Sequence, residues 1–444
     1  MLRRVVRHMM RRVRPGSALP PPAPRPAIAG NAAATLAQAG AIRLATALAP
    51  PVEDQPSPGR RRVCFAIPAT TPEDTALLAV TVALVVQGGA VTLRLVQADG
   101  TAADTLSCAP ADGCVLVTLF APPAPGLMLE LEAPHPEARF STSAVAAWCL
   151  TAAALDPARL MPQVRLAADP TWARAYGHPG AQDTAGRLRE RGFAMMAAPA
   201  LVRVLDGLPV WLVPGDELSR ALLLSGSYEP ETLLAIQALL PPGGVFVDVG
   251  AHCGLISAFA ARRVGPTGRV VSFEPSPREF ARLQANLAAG DFTWVIAHQA
   301  AIADTEGEVT LRLAEPGHAG HNTIGSAFAY EGVAVAELAQ VRATTLDAAL
   351  AGLDRCELIK LDIEGAELRA LRGGAAALAR LRPALILEVF DRALAGSGDT
   401  VAGLMAWLAA NGYQARDIDP ATGRFDAPAH VAAGESKNIV ALPK

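Results

Sequence analysis

Three groups of residues in the 444-residue chain have types and spacing suited to chemistry. The first is the turn Asp248-Val249-Gly250-Ala251-His252-Cys253-Gly254, which follows the apolar run VFVDV. Glycines are wanted there because the backbone must turn sharply and let a ligand approach with no Cβ in the way. A dinucleotide loop would read G-x-G-x-x-G, whereas this one has G-x-x-x-G with a carboxylate before it. A carboxylate at that point repels a pyrophosphate but suits a ligand carrying ammonium and sulfonium charges, which describes S-adenosyl-L-methionine. The second group is Glu274-Pro275, 20 residues beyond Gly254 at the end of the next apolar run. An acid there is placed to accept both hydroxyls of a ribose.

The third group is Lys360-Leu361-Asp362-Ile363-Glu364-Gly365. Lysine is scarce in this chain, with Lys360, Lys437 and Lys444 standing against 36 arginines. In strand geometry Lys360 and Asp362 share one face. A compact ammonium in an otherwise apolar run needs a partner, and Asp362 is the natural one. The pair could simply tie a strand end to its neighbours, or it could serve a reaction. Glu388, at the end of a later apolar run, could join Asp362 around Mg²⁺, but two carboxylates do not define a metal site and none is assigned. Ala301 and Asp304 are candidates for an adenine, through a backbone N–H and a carboxylate. The Gly317-His318-Ala319-Gly320-His321-Asn322 stretch reads as a substrate loop with its histidines in solvent.

These residues require a scaffold of alternating strands and helices. VFVDVG (245–250), RVVSFE (269–274), TWVIAHQAAI, ELIKLDIEG (357–365) and ALILEVF (384–390) read as strands, and QVRATT as an edge strand. LISAFAARRV, PREFARLQANL, LRALRGGAAALARL and VAGLMAWLAANG read as the helices between them, and YQARDI with SKNIVALPK as a closing pair. Upstream, ETLLAIQALL is helical and VRVLDGLPVWLV is a hairpin turning at Asp206-Gly207. Such alternation implies an α/β domain with a doubly wound, mostly parallel sheet and its ligand at the carboxyl ends of the strands.

From about residue 226 to 444 the sequence resembles the FkbM-type family of S-adenosylmethionine-dependent methyltransferases. The resemblance rests on VFVDVGAHCG, GRVVSFEPSP, AAIADTEGEVTL, TTLDAAL, IKLDIEGAE, ILEV and NIVALP, in that order. It implies a seven-stranded methyltransferase sheet whose last strand is antiparallel, and mostly O-methylation of sugars, polyketides and related hydroxyl compounds. It also implies that Asp248, Gly250, Ala251, His252, Gly254, Glu274 and Pro275 hold the cofactor. His252 stands where the family usually has Asn. On this reading the end of the ELIKLD strand faces the methyl group. A base beside a hydroxyl would speed methyl transfer by about 10²–10⁴, with Asp362 the first candidate and His252 the second. Lys360 supports Asp362, and Glu364 orients substrate or caps the next helix.

Composition bounds the remainder. The length suggests about three domains, and 51% apolar against 18% charged residues provides a core. Residues 1–62 hold eleven arginines against Glu53 and Asp54, or +9, so the net −3 leaves −12 for the rest. An acidic body excludes a nucleic-acid partner. The basic opening, with Arg3, Arg7, Arg11 and Arg14 at helical spacing before a Pro-rich spacer, reads as a disordered tail with at most weak membrane-surface contact. Residues 63–157 read as a small β-rich, sandwich-like accessory domain, 158–195 as a linker and 196–444 as the methyltransferase domain. Only Phe65, Phe120, Phe140 and Trp148 lie between 63 and 157, too few for an obvious sugar platform. Six cysteines without a C-x-x-C pair, and no apolar run long enough to span a bilayer, suit a cytoplasmic protein, with oligomerisation left open. The acceptor expected is a small molecule or glycan hydroxyl. Two other readings stand beside this one: a non-catalytic adaptor with a vestigial cofactor pocket, and an NAD(P)-dependent oxidoreductase disfavoured by the missing third glycine.

Overall fold

A computed structural model of the protein describes residue 36 and residues 42–45, 52–53, 61–67, 74–109, 115–125, 127–133, 139–161, 184–420 and 422–444. The basic opening and most of the Pro-rich spacer lie outside the described residues. The chain divides into two compact units, residues 1–160 with 179–195 and residues 161–178 with 196–444.

The first unit consists of antiparallel strands β1 (Ile42–Ala45), β2 (Val52–Glu53), β3 (Arg61–Ala66), β4 (Thr75–Gln87), β5 (Val91–Val96), β6 (Ala102–Cys108), β7 (Val115–Ala121), β8 (Met128–Ala133) and β9 (Arg139–Thr151). They form a four-stranded sheet in the order β1-β9-β4-β7 and a five-stranded one in the order β2-β3-β8-β5-β6. Alternation explains both: Val91, Leu93 and Leu95 are buried while Thr92 and Arg94 are not. Val80, Val82, Leu84 and Val86 of β4 enter one apolar cluster with Leu93, Leu95, Leu129 and Leu131 of the other sheet. Strands β1 and β2 fall inside the segment expected to be a disordered tail, because each finds a partner, β1 on β9 and β2 on β3. Helix Thr184–Ala194, from the expected linker, bonds this unit through Arg187 to Asp104. Phe65, Phe120, Phe140 and Trp148 are all buried, so none of them offers a flat face to a sugar.

The second unit opens with the hairpin β10 (Ala200–Val204) and β11 (Leu208–Leu212), followed by helices Glu217–Ser225 and Pro230–Leu239. Its main sheet uses β12 (Val245–Val249), β13 (Arg269–Phe273), β14 (Val295–His298), β18 (Leu358–Leu361), β19 (Ala384–Phe390), β20 (Tyr413–Asp417) and β21 (Ser436–Pro443), and a second sheet uses β15 (Ala301–Ala303), β16 (Gly307–Ala314) and β17 (Val335–Thr345). The main order is β14-β13-β12-β18-β19-β21-β20. Pairings from β14 to β19 are parallel, and β21 runs antiparallel to both its neighbours. The strand order reverses at β12, which places the switch point between β12 and β18. Every residue of β12 and of β18 is buried, as a strand covered on both faces must be.

Three local expectations differ from this arrangement. TWVIAHQAAI is two strands, because the chain turns at Gln299-Ala300 and Ala301–Ala303 leaves the main sheet to pair with β17. QVRATT is correspondingly the middle of the three-stranded sheet β15-β17-β16 and not an edge of the main one. LRALRGGAAALARL is two helices, Glu367–Arg372 and Ala375–Leu381. Its glycine pair permits contact that side chains would block: a Cβ on Gly373 would lie 2.3 Å from the Ala303 carbonyl, and one on Gly374 2.6 Å from Leu346 Cβ.

Candidate active site

The carboxyl ends of β12, β13, β18 and β19 surround a cavity of about 170 Å³, which is closed on another side by Tyr228, Glu229 and the 317–322 segment. Its glycine turn is built from the backbone. Gly250 has φ +83°, and a Cβ there would lie 1.9 Å from the Asp362 carbonyl, so only glycine lets the β12 turn lie against the end of β18. Gly250 and Ala251 each donate an N–H to the Phe273 carbonyl at 3.0 Å. Helix Leu255–Val264 then starts without a side-chain cap, its positive end beside the turn. Gly254 serves packing instead of ligand contact, since a Cβ there would meet Leu283 Cδ1 at 2.4 Å.

Glu274 lines the cavity and accepts N–H groups from His252 and Ser276, both at 2.8 Å. Burial pushes its carboxyl up to about 7 despite those two bonds. Pro275, Ala251 and Ala301 also line the cavity, with Ala300 and Ile302 supplying an apolar wall. Asp248 requires a correction. It is fully buried and accepts the Ser257 hydroxyl at 2.6 Å, so it lies beneath the turn and off the cavity wall. Being one residue inside β12, it faces the sheet interior, where burial raises its carboxyl. Asp304 requires another. Arg369 holds it at 2.9 Å and lowers its carboxyl, away from the cavity lining. His252 stands on the wall at φ +49°, with Nε2 3.3 Å from Glu279 Oε2 and its ring held neutral by burial. Arg282 also binds Glu279, at 2.8 Å, and Asp216, at 2.9 Å, so His252 belongs to that network and is the weaker base candidate.

Beside the turn, at the end of β18, Lys360 Nζ donates to Asp362 Oδ2 at 2.7 Å. Burial disfavours the Lys360 charge, but Asp362, Glu229 and Asp248 together raise the ammonium above its ordinary value. Burial likewise opposes the Asp362 charge, and Lys360 outweighs it, holding the carboxyl below the usual range. Glu364 and Glu388 are pushed well above that range by burial and then by the Asp362 charge, and Glu388 hydrogen-bonds Asp362. Oxygens of Asp362, Glu364 and Glu388 lie within 4.8 Å of one another, a set of hard oxygen donors able to face a cation or a hydroxyl-rich ligand. Glu364 does not cap the following helix, which has no side-chain cap. Glu367, its first residue, instead accepts the N–H groups of Ile363 and Gly365 in the preceding loop.

Sequence reasoning missed Glu229, Tyr330 and His321. Glu229 precedes Pro230 at φ +46°, lines the cavity and is raised by burial to about 7. Its signal is an acid directly before a helix that starts with proline. His321 is not in solvent: its Nδ1 lies 3.2 Å from Glu364 Oε1 and its ring centroid 4.1 Å from that of Tyr330.

A doubly wound sheet with a glycine turn at its switch point and an acid at the end of the next strand is an arrangement common to nucleoside-binding folds. Residues 248–415 match the Methyltransferase FkbM domain. Among curated proteins the chain is 32% identical over 206 residues to the AMB antimetabolite synthetase AmbE of Pseudomonas aeruginosa, covering 38% of this chain and 9% of that one. It is 30% identical over 163 residues to methyltransferase sdnD of Sordaria araneosa, covering 31% of this chain and 62% of the relative. The chain thus spans less than two thirds of either relative. Among solved structures it is similar to a methyltransferase FkbM from Methylobacillus flagellatus, at 16% identity and TM-score 0.31 over 50% of this chain and 52% of the other.

Proposed function

We propose that the protein binds S-adenosyl-L-methionine in this cavity and transfers its methyl group to the oxygen of a hydroxyl-bearing small molecule or glycan. The observation that carries the reading is that Glu274, the glycine turn and the Lys360–Asp362 pair line one cavity. The fit to the cofactor rests on Glu274, a buried carboxylate open to the cavity, and on the apolar wall of Ala300, Ala301 and Ile302. Bound there, the cofactor supplies an electrophilic methyl on a sulfonium leaving group.

The chain's own residues then align and deprotonate. Lys360 keeps Asp362 ionised at neutral pH and fixes its direction. A weak base suffices, because a hydroxyl becomes strongly acidic only as its C–O bond forms. Glu388 hydrogen-bonds the other side of Asp362, and Tyr330 and His321 narrow the space for an acceptor. Asp362→Asn is expected to lower methyl transfer to hydroxyl acceptors by at least about 10²-fold while leaving S-adenosylhomocysteine affinity within about twofold. The measurement is transfer of labelled methyl to a panel of sugars and glycolipids, beside calorimetry with the homocysteine product. Wild-type turnover in that variant would overturn the assignment of Asp362, and absence of any cofactor binding by the wild type would favour an adaptor role.

A further inference from the structure

We propose that Glu217, His318 and His321 form a site for a divalent transition metal, zinc by the chemistry of its donors, on the wall of the cavity. His318 and His321 are three residues apart in the short 3₁₀ segment Pro316–His321. The segment kinks at His318, whose φ of −122° and ψ of 28° are not helical. The two rings nevertheless stack, with centroids 6.1 Å apart and planes 25° from parallel. Glu217 opens the neighbouring helix, and its Oε2 lies 3.7 Å from His318 Nδ1. One donor atom from each of the three residues lies within 4.8 Å of the others.

Two further observations favour a metal over a plain ion pair. His318 Nδ1 is buried without a hydrogen-bond partner, an expensive arrangement for a ring nitrogen unless something coordinates it. His321, in contrast, has Nδ1 held by Glu364 Oε1 at 3.2 Å, which leaves Nε2 to face a metal. A carboxylate on the far nitrogen of a ligating histidine is the usual means of fixing its tautomer and orientation. Two imidazoles and one carboxylate are a borderline-soft set that suits zinc, unlike the all-oxygen group Asp362, Glu364 and Glu388. The donors would close in by up to about 1.5 Å, from 4.8 Å at most to the roughly 3.3 Å separation that 2.0–2.1 Å bonds impose in a tetrahedron. Glycines on both sides of His318–Ala319, Gly317 and Gly320, give the segment that freedom. An ion there would fasten the 316–321 segment to helix Glu217–Ser225 and keep one coordination position for water or an acceptor oxygen.

The test is titration of tag-free, chelator-treated full-length protein with zinc, cobalt and magnesium. Expected are one zinc per chain, cobalt absorption bands of tetrahedral type, and no competition by magnesium. His318→Ala should weaken zinc at least about a hundredfold, and Glu364→Ala, through the positioning carboxylate, by about 10–100-fold. Glu217→Gln, a change at an exposed residue, provides a second ligand variant should His318→Ala fold poorly, and S-adenosylhomocysteine binding by each variant reports folding separately. No zinc uptake, equal uptake by the ligand variants, or competition by magnesium would overturn the proposal.

Discussion

The two units bury different things. Among the described residues, the buried polar side chains of the β unit are Thr81, Thr118 and Glu130, and its cluster is otherwise aliphatic. The α/β unit buries Asp248, Glu274, Glu279, Lys360, Glu364 and Glu367 as well as an apolar core. Burying charge costs several kcal/mol per group unless it is paired. A chain that tolerates this at the carboxyl ends of one sheet gains a set of groups with displaced titration, which is what a reaction site needs.

That contrast can be broken at several strengths. Lys360→Met should have the largest effect, destabilising the protein by about 3–5 kcal/mol because Asp362 and Asp248 lose their cation, measured by urea denaturation. A cost under about 1 kcal/mol would mean that the charge is dispensable. Leu93→Ala in the β unit should cost about 2–5 kcal/mol through a cavity, with the same value at pH 6 and pH 8. A pH-dependent cost would show that the β core is coupled to titrating groups. Glu274→Gln should weaken S-adenosylhomocysteine by about 1.5–3 kcal/mol, the worth of hydrogen bonds to a charged acceptor, and flatten the pH dependence of binding seen by calorimetry.

The smallest effect is on stability with pH. Glu229, Glu274 and Glu367 are each raised to about 7 by burial in the folded protein. A carboxyl raised on folding adds stability that is complete below its ordinary value and disappears as pH rises through the raised one. The thermal midpoint of the free protein should therefore fall between about pH 4.5 and 7 and level off above. Ribose hydroxyls favour ionised Glu274, so homocysteine-product affinity should rise over the same range. A flat midpoint would assign those carboxyls ordinary values.

Much of the sheet could be read in advance because its strands are buried on both faces and hence continuously apolar, as in VFVDV and ALILEVF. Periodicity could not reveal where the chain leaves a sheet, and TWVIAHQAAI divides at a turn that its composition does not mark. The site was half legible. Glu274 and the Lys360–Asp362 pair stand out as charges at strand ends, but Asp248 is fully buried against Ser257, a burial no spacing rule detects. His321 and Glu229 depend on long-range packing of an insertion and a preceding helix, and local pattern carries little of either.

The absent side chain at Gly250 has a kinetic consequence. Since the turn rests directly against the Asp362 carbonyl, whatever seats the turn also sets the position of the base. The cofactor should then bind before the acceptor, as a compulsory order. Product-inhibition kinetics would show S-adenosylhomocysteine competing with S-adenosylmethionine and acting noncompetitively against the acceptor.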